Sequence, residues 1–81
     1  MVYVVIRDYV TGKSYNTPHR NKEDARKWMK KESELMVSNI KDKYAGVITI
    51  AESWDGSISI CSKDKFYRYG LSIVEDSKIV S

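Results

Sequence analysis

The sequence predicts an α+β domain: a two-layer sandwich whose antiparallel sheet of about five strands carries one helix on one face, in the order β-β-α-β-β-β. Three observations predict it. Valine and isoleucine number eight each against two leucines, and β-branched residues fit a pleated surface better than a helical turn. Only the segment from Asn21 onward repeats its apolar residues at helical spacing. Two glycine-bearing turn signals, Val10-Thr11-Gly12 and Trp54-Asp55-Gly56, flank that segment. With 81 residues, 42% of them apolar or aromatic, the chain has material for a single core, so residues 1–81 are expected to form one domain.

The first hairpin is expected to turn on Val10-Thr11-Gly12, which would pair Tyr9 with Lys13, Asp8 with Ser14 and Arg7 with Tyr15. Alternation then places Val2, Val4 and Ile6 on the core face and Tyr3, Val5, Arg7, Tyr9 and Tyr15 on the other. Pro18 ends the second strand and orients the entry to the helix. Asn21 is the expected N-cap, Glu23 and Asp24 suit the positive end of the helix dipole, and Lys41 and Lys43 suit its negative end. The apolar stripe is Ala25, Trp28, Met29, Leu35, Met36 and Ile40, which makes Trp28 a core residue. The helix is expected from Lys22 to about Val37. Its continuation to Tyr44 is left open, because Val37-Ser38-Asn39 has weak helix propensity.

The second hairpin admits two registers, and the isoleucines choose between them. A two-residue loop at Asp55-Gly56 would split Ile48, Ile50, Ile58 and Ile60 between the faces. A three-residue loop, Trp54-Asp55-Gly56, pairs Ser53 with Ser57, Glu52 with Ile58 and Ile50 with Ile60, and gathers all four isoleucines on one face. The opposite face then carries Val47, Thr49, Ala51, Ser57, Ser59 and Cys61. After a turn at Ser62-Lys63-Asp64-Lys65, Tyr67, Tyr69, Leu71 and Ile73 alternate along a fifth strand, and Ile79 and Val80 add a short edge.

The longest apolar run, Val2 to Ile6, is far short of the roughly 20 residues a spanning helix needs, so no membrane association is expected. One cysteine, Cys61, excludes an internal disulfide framework, which together with the lack of a secretory pattern reads as cytoplasmic. Catalytic signals are thin. His19 is the only histidine, nothing local activates Cys61, and Asp8, Glu23, Asp24, Glu52, Asp55 and Asp64 are scattered without ligand spacing. The expectation is a non-enzyme with no cofactor and no metal.

Binding has better candidates. Between Lys13 and Lys31 stand seven basic residues, including Arg20, Lys22, Arg26, Lys27 and Lys30, against Glu23 and Asp24 alone. Lys22, Arg26 and Lys30 recur every four residues and would form a ridge opposite Trp28 and Met29, able to meet phosphates or simply to solvate the helix. Tyr3, Arg7, Tyr9 and Tyr15 would give the open sheet face an aromatic and guanidinium mixture that anchors protein interfaces or stacks bases. Trp54 and Asp55 sit at a hairpin tip, where an indole is hard to bury. These residues predict a protein-binding module or inhibitor that uses Trp54, Asp55, Tyr3, Arg7, Tyr9 and Tyr15. The alternative is a nucleic-acid binder that uses Arg20, Lys22, Arg26, Lys27 and Lys30. In general style the small, tyrosine- and lysine-rich chain resembles proteins of phages and mobile elements that occlude a surface on a larger host complex, including defence machinery. No motif carries that comparison. Exposed strand edges leave the chain either a monomer or an edge-strand homodimer.

Overall fold

The computed structural model describes residues 1–75. Strands β1 (Val2–Asp8) and β2 (Ser14–His19) precede helix α1 (Lys22–Lys43), and β3 (Ile48–Glu52), β4 (Ile58–Ser62) and β5 (Arg68–Glu75) follow it. All neighbours in the sheet run antiparallel, in the order β2-β1-β5-β4-β3. The helix carries the chain from one sheet edge to the other, and β5 joins the two hairpins by pairing with both β1 and β4. The expected Ile79 and Val80 edge lies outside the described residues.

The core lies between the helix and one sheet face. Val2, Val4 and Ile6 of β1, Ile58 and Ile60 of β4 and Leu71 of β5 meet Ala25, Met29, Val37 and Ile40 of α1. Asn21 caps the helix by accepting the Asp24 N–H at 2.9 Å. The helix runs on past Val37 to Lys43 because Val37 and Ile40 are buried against the sheet. Burying such side chains is worth about 1.5–3 kcal/mol each, more than the few tenths that propensity withholds at Val37, Ser38 and Asn39. Leu35 does not belong to the stripe. It is exposed, and the position on the sheet side is filled instead by Ser33, whose hydroxyl donates back to the Lys30 carbonyl at 2.7 Å. Trp28 is half-buried at the margin of the core, with its ring 5.1 Å from that of His19 on β2.

The second hairpin has the three-residue loop and the register that its isoleucines require: Ile50 pairs with Ile60 and Glu52 with Ile58. Gly56 takes the left-handed conformation, φ +88°, which a side chain would strain. The first hairpin differs from expectation by one residue. Asp8 pairs with Lys13 through an Asp8 N–H bond to the Lys13 carbonyl, so the loop holds four residues, Tyr9 to Gly12. The cause is the Asp8 carboxylate, whose Oδ1 accepts from Val10 N–H at 2.9 Å and Thr11 N–H at 3.1 Å and folds the loop around itself. Tyr15 therefore pairs with Ile6, not Arg7, and stands on the helix side of the sheet.

An aspartate closes the turn before β5 in a similar way. Asp64 Oδ1 accepts from the Ser62 hydroxyl at 2.8 Å and Phe66 N–H at 3.0 Å, while Ser62 Oγ accepts from Tyr67 N–H at 2.9 Å. The Phe66 and Ser62 bonds hold the Asp64 carboxyl below its ordinary pKa. For Asp8, burial acts to raise the pKa, but the Thr11 and Val10 N–H groups, the Thr11 hydroxyl and the Lys13 charge together outweigh it and lower the value.

Ser62 is buried and bridges two backbone segments, so Ser62→Ala should cost about 1–2 kcal/mol in urea unfolding, the penalty of leaving the Tyr67 N–H without its partner. Carboxylates with lowered folded-state pKa values stabilise fully above the unfolded aspartate value near 4 and lose that contribution as pH falls through the folded value. The urea midpoint should accordingly stay level from about pH 7 to about 5 and fall below about pH 4, and Asp64→Asn should flatten part of that fall.

Candidate functional site: the Trp54 hairpin tip and its groove

The tip of the β3–β4 hairpin is closed by hydrogen bonds. Ser53 N–H donates to the Ser57 carbonyl at 2.8 Å and Gly56 N–H to the Ser53 carbonyl at 2.9 Å. Inside that frame Asp55 Oδ1 accepts from the Ser57 hydroxyl at 2.7 Å and Ser57 N–H at 3.1 Å. The hydroxyl bond and then the backbone bond lower the Asp55 pKa, so the carboxylate stays charged under ordinary conditions. At the head of this frame Trp54 is 99% exposed, presenting its indole to solvent from a hydrogen-bonded turn.

Beside the tip is a groove of about 310 Å³, lined on one side by Arg26 and Lys30 of α1 and on the other by Glu52, Ser53, Trp54 and Gly56, with the buried Met29 and Ile58 between. The Arg26 guanidinium approaches the tip closely enough that a β-carbon on Gly56 would lie 3.7 Å from Arg26 Nε. Sequence reasoning had Trp54 and the basic helix residues as separate candidates, and the structure brings Arg26, Lys30 and Trp54 to one place. The sequence signal for this is that Arg26 and Lys30 flank Met29, a residue of the apolar stripe, and so must lie along the margin of the buried face.

The expected basic ridge does not stand opposite Met29. Lys22 is directed to the sheet and pairs with Glu75 of β5 at 2.6 Å, and Arg26 and Lys30 face the second hairpin. Lys27 pairs with Glu23 at 3.6 Å on the solvent side, and Arg20 lies exposed ahead of the helix. The five cations thus point in several directions.

The tyrosine-bearing sheet face is also divided. Tyr3 and Arg7 are on the open face, where their cross-strand partners are Val74 and Gly70 of β5. Tyr9 folds down over Gly70, so closely that a β-carbon there would lie 3.0 Å from its ring, and Arg68 stacks above it with the guanidinium carbon 5.2 Å from the ring centroid. Tyr15 is exposed on the opposite, helix-bearing side. Of the four predicted residues, Tyr3, Arg7 and Tyr9 share the open face.

His19 and Cys61 are on opposite sides of the sheet. His19 pairs with Val2 on the helix side and bonds Thr17 Oγ1 through Nε2 at 3.0 Å. Cys61 pairs with Arg68 on the open side and its thiol donates to the Ser62 carbonyl at 3.2 Å. Among the described residues no three His, Cys, Asp or Glu side chains gather as a metal site would require, and no helix is long and apolar enough to cross a membrane.

No protein-family model, no curated protein and no solved structure matches this chain. The geometry of the tip and groove therefore carries the functional reading.

Because the Trp54 side chain touches so little, Trp54→Ala should leave the melting temperature within about 2 °C of the parent, the range of neutral surface changes. In a Trp28→Phe background, the Trp54 fluorescence should match that of free tryptophan in emission wavelength and in quenching by acrylamide. A blue-shifted, protected emission would mean that the indole is packed.

Proposed function

We propose that the chain is a non-catalytic binding protein that holds a larger protein partner through the Trp54 and Asp55 tip and the groove behind it, and that it acts as an inhibitor by covering the surface it occupies. The observation that carries this reading is the indole presented without cover on a hydrogen-bonded turn. Tryptophan, followed by tyrosine and arginine, dominates the energetics of protein interfaces, and a pre-ordered anchor loses little conformational entropy on docking. The groove adds chemistry to the anchor. Arg26 and Lys30 stand on one wall and Glu52 on the other, with Met29 and Ile58 between, an arrangement that accepts an apolar side chain flanked by a carboxylate. Tyr3, Arg7 and Tyr9 form a secondary contact surface on the open sheet face. A cytoplasmic setting belongs to the same reading, supported by a single free thiol at Cys61.

Nucleic-acid binding is the second reading, favoured by the adjacency of Arg26 and Lys30 to the exposed indole, since bases stack on tryptophan while cations meet phosphates. It is the weaker one because Lys22 is engaged by Glu75 and Lys27 by Glu23, which leaves no continuous five-cation track.

Affinity capture from the native host should recover a protein that Trp54→Ala loses by about 30-fold or more in affinity, the scale of an interface hot spot, with the fold intact. Arg26→Glu should weaken the same complex. A partner retained equally by both variants would refute the site. Binding of a generic oligonucleotide that declines steeply with salt, and is lost on combining Arg26→Glu with Lys30→Glu, would instead establish the second reading.

A further inference from the structure

The two edges of the sheet are built differently. The β2 edge carries Pro18 within the strand, a residue that cannot donate to an added strand. The β3 edge, Ile-Thr-Ile-Ala-Glu, carries no proline and no lysine, the usual devices that keep an edge from pairing. The direction of its backbone groups follows from its bonds to β4. Lys63 N–H donates to the Val47 carbonyl and Ser53 N–H to the Ser57 carbonyl, so the odd-numbered residues face β4. The N–H and C=O groups of Ile48, Ile50 and Glu52 then face outward. The apolar surface has a matching distribution. Ile50 points to the helix side of the sheet but is 52% exposed, and Val47, just ahead of the strand, is 63% exposed.

We propose that two copies of this chain pair antiparallel along β3, about a two-fold axis at Ile50, into a continuous ten-stranded sheet. In this register Ile50 faces Ile50 of the second copy and Ile48 faces Glu52, so the three outward-facing residues of each chain all fall at hydrogen-bonded positions and form about six backbone bonds. A shift of one residue would bring inward-facing groups to the seam and lose them. Ile50 packs on its own copy on the helix side of the sheet, while Thr49 and Ala51, both small, meet on the other. Charge permits this register as well. Glu52 is the only charged residue in the strand, and the two copies of it lie four residues apart, about 13 Å along the seam, beyond the Debye length at physiological salt. Five residues a side bury roughly 500 Å² per chain, the low end of specific interfaces, which marks a weak, concentration-dependent dimer, and the test assumes a Kd of about 10–100 µM. Trp54 lies outside the paired segment. Glu52, by contrast, belongs both to the seam and to the groove wall, so the two surfaces adjoin, and Trp54→Ala separates them by weakening the partner complex while leaving dimerisation unchanged.

Sedimentation equilibrium from about 5 µM to about 500 µM tests this. The wild-type mass should rise from 9.4 kDa toward twice that value. Ile50→Lys and Ile50→Glu should each remain monomeric at the highest concentration with the melting temperature unchanged. An equimolar mixture of the two should recover the dimer, because only a register that sets residue 50 against itself makes their charges meet. Hydrogen exchange of the wild type needs no variant. The Ile48, Ile50 and Glu52 amides should exchange freely at the low concentration and become protected at the high one. The proposal is overturned by a wild type that stays monomeric throughout, by a dimer that survives Ile50→Lys, by a mixture that fails to associate, or by amides already protected in the monomer.

Discussion

An α-helix with its side chains is about 10–12 Å across, while five strands spaced about 4.8 Å apart set their outer axes almost 20 Å from one another, so one helix cannot roof the whole sheet. In this protein α1 lies over the central strands, where Val4, Ile60 and Leu71 are fully buried. The margins are left to other devices. On the β2 side Trp28 extends from the helix to lie against His19. On the β3 side Ile50 stays 52% exposed, and the same shortfall leaves a groove between Arg26, Lys30 and the hairpin tip. The exposed Ile50 side chain and the groove are thus two consequences of one mismatch in width, while the Trp54 indole is uncovered because it stands in the loop beyond the strands.

The sequence made the second hairpin legible and the first one less so, for a physical reason that lies in particular side chains. In the second, four isoleucines sit where only one register keeps them together, and burying two of them at Ile58 and Ile60 fixes the loop at three residues. In the first, Val2, Val4 and Ile6 fix the face of β1 but say nothing about its partner, since β2 offers no apolar residue of its own beyond Tyr15 and Pro18. Register there fell to the turn, and the turn is set by a carboxylate. A one-residue slip carries a strand to the other face, which is why Tyr15 is found on the helix side. Strand order was not legible at all, because β5 enters between β1 and β4 by contacts remote in sequence.

The site was legible in its parts and not in its assembly. Trp54 was readable as a tip residue once the register was chosen, and Arg26 and Lys30 were readable as helix cations. That they meet depends on how the helix lies across the sheet, a tertiary fact. The helix pattern itself misled at Leu35 and Ser33, where an apolar residue faces water and a polar one is buried. Ser33 is tolerated on the buried face because its hydroxyl is satisfied by the Lys30 carbonyl, so the cost of burying it is small.

Three of the acids that looked scattered along the sequence share a structural task. Asp8, Asp55 and Asp64 each stand at a hairpin or connecting turn, each accepts from a backbone N–H two residues further on, and each is held in its charged form by those bonds. Turns closed by a charged side chain are stiffer than turns held by the backbone alone, because charge-assisted bonds are roughly twice as strong as neutral ones. Stiff turns matter most in a small domain whose single helix covers only part of its sheet, since the strands at the margin have little core to hold them. At the Trp54 tip the same stiffness has a second effect. The indole gains no stabilisation from its own contacts, yet its backbone is already ordered, so a partner that covers it meets only the side-chain entropy of one residue. Asp55 in this way links the folding of the hairpin to the readiness of its tip to bind.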